Sequence, residues 1–168
     1  MRHFIASTCL ILMTLGHAAG QTLVDLKDQK LNWGEKTAGT QVALIADAAR
    51  GPVTANTTVA FSVYVKNTND SLLVVSTDEP HGITLHGVSF YTLDSNGKTI
   101  QISPRITSIF HLSFAFVPPE STYLFNVELP SEIVKLATNG LIAGVRVIPK
   151  TDNRATLVYS NKIFLPAN

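Results

Sequence analysis

From Thr57 to Asn67 apolar and polar side chains alternate without a break. Val59, Phe61, Val63 and Val65 fall on one side, and Thr58, Ser62, Tyr64 and Lys66 on the other, with small Ala60 among them. A period of two marks an extended strand with one buried face, because successive side chains point to opposite sides of a sheet. The same pattern recurs along the chain. Phe110, Leu112, Phe114 and Phe116 oppose His111, Ser113 and Ala115, while Tyr123, Phe125, Val127 and Leu129 alternate with Thr122, Leu124, Asn126 and Glu128. Each phenylalanine of the first set is expected in the core, at about 1.5–3 kcal/mol per large side chain buried.

Turn signals separate these runs. Asn67-Thr68-Asn69-Asp70 breaks the first strand through short polar side chains that bond their own backbone, and Leu72 to Val75 is expected to pair back on it. Asp94-Ser95-Asn96-Gly97 lies between Val88–Leu93 and Lys98–Ile102, and Asn-Gly supplies the positive φ angles of a tight hairpin. Pro118-Pro119 stops a strand, since proline cannot donate to a ladder. Pro130-Ser131-Glu132 opens one helical turn through Leu136, closed by Asn139-Gly140. Gln41–Ala46, Leu141–Ile148 and Asn161–Leu165 complete eight or nine strands, with a polar loop at 150–154. Strands of this spacing predict an all-β fold, a two-sheet antiparallel β-sandwich with at most one short helical turn.

The first twenty residues belong to a different regime. Arg2 and His3 precede the apolar stretch 4–15, which is followed by Gly16-His17-Ala18-Ala19-Gly20. A positive end, a short apolar core and small residues at the end predict a secretory signal peptide, residues 1–20, cleaved after Gly20. The core is well short of the roughly 20 residues of a spanning helix. The single cysteine, Cys9, lies within it, so the mature chain has no thiol for disulfides, catalysis or metal. Residues 21–40 form a lead-in, and residues 41–166 form the sandwich. Export puts the protein outside the cytoplasm, secreted or periplasmic, with no membrane span after cleavage. Loss of Arg2 leaves 12 basic against 12 acidic residues. A neutral chain lacks the clustered cations that nucleic acid demands.

No motif of catalysis stands out. Gly87-Val88-Ser89-Phe90-Tyr91 lacks the second glycine of a nucleophile elbow, and no Gly-rich phosphate loop or His-Glu-x-x-His helix is present. His81 and His86, with Asp78 before them, are weak metal-ligand candidates: five residues apart on one strand, the two imidazoles would face opposite sides. No cofactor is expected. An exposed aromatic, Trp33, Tyr64, Tyr91 or Tyr159, could stack on a sugar. Loops on a rigid sandwich are the usual seat of recognition, which makes 80–87 with His81, Ile83 and His86, 51–56, and 102–110 with Arg105 the candidate contacts, together with Trp33.

Trp33-Gly34-Glu35, followed by Gly39-Thr40-Gln41-Val42-Ala43-Leu44, resembles the lead-in of an immunoglobulin-like domain found in many exported bacterial proteins. Val59 to Asn67 is similar to that domain's strand "v-x-F-x-v-x-v-x-N", and Asp94 to Lys98 to its "D-x-x-G-K" hairpin. Residues 160–164 are similar to its closing strands. The likeness covers most of residues 33–165 and implies an immunoglobulin-like sandwich and export, without an assigned activity. A weaker likeness is to bacterial immunoglobulin-like proteinase inhibitors. The expectation is a non-enzymatic module that binds an unknown protein or a cell-envelope partner; the alternatives are a carbohydrate or small-ligand module, or a proteinase inhibitor.

Overall fold

The computed structural model describes residues 21–24, 26, 30–46, 58–77, 87–102, 114–150 and 154–165. Ten strands and one short helix follow in the order β1 (Gln21–Val24), β2 (Thr40–Ala46), β3 (Thr58–Asn67), β4 (Leu73–Ser76), β5 (Val88–Leu93), β6 (Thr99–Gln101), β7 (Phe114–Val117), β8 (Thr122–Pro130), α1 (Ser131–Val134), β9 (Ile142–Pro149) and β10 (Thr156–Tyr159). They form two antiparallel sheets packed face to face, an all-β sandwich. The smaller sheet has the order β1-β8-β3-β2, and the larger holds β4, β5, β6, β7, β9 and β10. The lead-in thus contributes a strand, β1, paired with β8.

The alternation in β3 sorts as its sequence predicts. Phe61, Val63 and Val65 are wholly buried and meet Phe125 and Val127 of β8 on the same side. From the opposing sheet come Leu73, Val75, Phe90, Val145, Val147 and Val158, so the core is the layer between sheets. Phe61 and Phe90 touch across it at 5.8 Å between ring centres.

Four local expectations are corrected. Leu73–Ser76 does not pair back on β3; it joins β7 and β9 in the other sheet. Asn67 makes this crossing: its buried amide donates to Ser71 O at 2.8 Å and Val117 O at 2.9 Å, while its Oδ1 accepts from Asn69 N at 3.0 Å. The hairpin at 94–98 exists, but only Gly97, at φ +78°, adopts a positive angle. Asp94 Oδ1 accepts from Asn96 N and Lys98 N, which fits a turn closed by a glycine bulge and not two left-handed residues. The last strand is Thr156–Tyr159 and not 161–165: the Ser160 hydroxyl accepts from Ala143 N and donates to Asn161 O, interrupting the ladder, and beyond it only Ile163 pairs again, in one isolated bridge with Leu141.

The fourth correction concerns β7. Phe114 and Phe116, expected in the core, are 43% and 61% exposed, whereas Ala115 and Val117 between and after them are 7% and 0% exposed. Pairing explains the inversion. Leu73 faces Val117 and Val75 faces Ala115, and Leu73 and Val75 are core residues, so β7 takes its parity from β4. A one-residue shift in register moves every side chain to the other face.

The larger sheet is laid out in lanes. Val145 pairs with both Val88 and Val158, and Val147 with both Val75 and Thr156. β10 therefore lies on one side of β9, and β4 and β5 lie end to end on the other. β7 and β6 continue outward as the next lane, beside β4 and β5.

Candidate functional site

The outward side of the larger sheet reads as a set of rungs. Phe116, Val74 and Ile148 lie across one another, as do Gln101, Tyr91 and Ile142, and Ser89, Gly144 and Tyr159. Arg146 stands between these rows, opposite Leu157. At one edge Phe114 and Phe116 are exposed, with Leu72 beside them in sequence to β4, and near the other edge Tyr159 is 39% exposed. Contiguous exposed aromatic side chains of this kind mark interaction surfaces more often than bare sheet.

At the middle of the face Gly144 leaves room for a ring. A Cβ there would stand 2.6 Å from Tyr91 Cε2. The Tyr91 ring occupies that space and meets Tyr159 edge-on, 5.2 Å between centres. Burial pushes the Tyr91 phenol up from its ordinary 10.0, while a hydrogen bond with Ser89 and the positive charge of Arg146 oppose the rise. The cluster can donate hydrogen bonds and present a cation. Among the described residues no group of three or more His, Cys, Asp and Glu could hold a metal, and no helix is long and apolar enough to cross a membrane.

Of the residues singled out from sequence, Asp78, His81, Ile83, His86 and Arg105 lie outside the described residues, as do 51–56 and His111. The described flanks of 78–86 lie against each other: a Cβ on Gly87 would fall 1.7 Å from Ser76 O. Trp33 is half-buried at a different place: Gly34 next to it donates to Val42 O at 2.8 Å and abuts the backbone of Tyr159 and Ser160. The structure does not bring Trp33 to the phenylalanine edge. Tyr64 and Tyr91, considered as sugar-stacking rings, are buried at 8% and 9% exposure and present no open ring face.

Arg146 and the two phenylalanines were not among the sequence candidates. Arg146 is the single charge in the apolar run from Leu141 to Pro149, a visible signal, since an ionised residue at mid-strand points to a wet or functional face.

No family model matches the chain, and no curated protein does. Among solved structures it is similar to the Northeast Structural Genomics Consortium target SoR45, at TM-score 0.46 and 9% identity over 74% of this chain and 84% of that one. It is also similar to a Bordetella pertussis protein provisionally named ApaA, at TM-score 0.38 and 9% identity over 74% and 88%. Neither likeness carries an activity to this chain.

Proposed function

We propose that this chain is an exported, non-enzymatic immunoglobulin-like sandwich that serves as a protein-interaction module, with the outer face of the larger sheet as its recognition surface. The observation that carries this reading is the exposure of Phe114 and Phe116 on an edge strand. Two aromatic rings held in water on a rigid sheet are the composition of an interface centre, where aromatic and Arg anchors dominate binding. The test places a photoreactive side chain at Phe116 and, separately, at Asn126 on the outward side of the smaller sheet, in the full chain expressed in its own cells. A discrete adduct from position 116 alone, weakened by Phe114→Ser, is expected. No adduct, or equal adducts from both positions, removes this reading.

A sugar-binding surface has one observation in its favour, the exposed Tyr159 ring on the same face. Glycan binding abolished by Tyr159→Ala and untouched by Phe116→Ser would displace the protein partner.

A further inference from the structure

The outward strand positions of the larger sheet carry one charge. The other outward positions, among them Val74, Tyr91, Phe116, Ile148 and Tyr159, are all uncharged, and Arg146 alone carries a charge. It is exposed, and among the described residues no ion pair engages it. It sits between the Phe116·Val74·Ile148 rung and the Tyr159 rung, so a partner that covers both aromatic ends also covers Arg146.

That placement constrains the partner. A guanidinium stripped of water and left without a counter-charge is strongly destabilising. A carboxylate laid against its planar fork restores both charge and hydrogen bonds, with two parallel N–H···O contacts. Phosphate-rich ligands and anionic membranes call for clustered cations, and this face offers one. A single acidic side chain fits that count. The flanking positions are apolar and aromatic, and they fit apolar side chains on either side of the acid.

We infer that Arg146, with Tyr91 beside it, anchors an Asp or Glu side chain of an extended partner segment, with the apolar residue on one side of the acid resting on Phe116, Val74 and Ile148 and that on the other side resting on the Tyr159 ring. The inference rests on the recognition face proposed above. In an extended segment the side chains at alternate positions share one face, so the recognised pattern is apolar, x, acid, x, apolar.

The probe is the blocked peptide Phe-Thr-Glu-Thr-Phe and its twin with Gln in place of Glu, each titrated into the full mature chain by NMR. The Glu peptide is expected to bind at least about tenfold more tightly, the scale of a charged hydrogen-bonded contact, and to shift the Arg146 and Tyr159 signals. Arg146→Gln removes the discrimination, and Arg146→Lys retains part of it. Phe116→Ser weakens both peptides alike. Equal binding of the twins overturns the anchor while leaving the face, and binding of neither overturns the anchor as well. The face itself stands or falls separately, on the crosslink from position 116.

Discussion

On the smaller sheet one patch of outward side chains is covered: Ala43, Ser62, Tyr64 and Thr122 are buried, while Ile45, Asn126 and Glu128 stay open. On the larger sheet the corresponding positions include Phe114, Phe116 and Tyr159, all open to solvent. The difference begins with connectivity. β1 and β2 are the two edges of the smaller sheet, so the link between them must pass from one edge to the other, and its Leu26, Leu31 and Trp33 are half-buried. The end of that link is seated at the β2 edge, where Gly34 N donates to Val42 O and Gly34 O accepts from the Gln41 amide. The larger sheet has its edge lanes joined without such a crossing among the described residues. Alternation thus assigns a side chain to a face, and whether that face is dry depends on what the rest of the chain lays over it.

The comparison can be broken by exchanging the fates of two aromatics. Tyr64→Ala is expected to lower stability by about 3–4 kcal/mol, the cost of emptying a packed aromatic site, read as a fall in the denaturant midpoint, with the crosslink from position 116 unchanged. Equal stability in this variant would show that the smaller sheet's outward side is not packed. Asn67→Leu should cost about 2–3 kcal/mol, because it strands the carbonyls of Ser71 and Val117 without a donor. Since Asn67 is where the chain leaves one sheet for the other, this variant should weaken both stability and crosslinking.

Phe116→Ser should change stability by no more than about 0.5 kcal/mol, as surface replacements do, while removing capture. A large destabilisation would mean that the ring is covered after all. The smallest effect is on alkaline unfolding. Burial raises the phenol pKa of Tyr91, and likewise that of Tyr123 in the core, above the ordinary 10.0. The folded state then holds those protons more tightly than the unfolded state. Their contribution is fully present below pH 10.0 and declines as pH rises through the folded values. Midpoints measured at stepped alkaline pH should fall less steeply in Tyr91→Phe, and an unchanged slope would contradict the buried phenol.

Strand positions were legible wherever alternation was strong and bounded by turns, as in β3, β5 and β8. Pairing was less legible, because partners are chosen by long-range geometry. Nothing local in Leu72–Val75 reveals that the Asn67 amide hands the chain to the other sheet. The parity of β7 was misleading for a physical reason. Its larger side chains favour one face, yet the small Ala115 and Val117 fit opposite β4, and the neighbour's register prevailed. That inversion also hid the candidate site, since rings assigned to the core were not weighed as contacts. Arg146 was readable from its apolar neighbours alone, though its two tyrosine companions come from β5 and β10 and meet it only through the sheet.

The meeting of Gly87 with the Ser76 carbonyl has a consequence for how this protein can change. Neither strand takes its register from the other: β4 and β5 are each laddered to β9, so the seam between Ser76 and Gly87 is a joint between two independently held blocks. A side chain at Gly87 would wedge that joint open while both ladders to β9, and the phenylalanine edge beside β4, stayed in place.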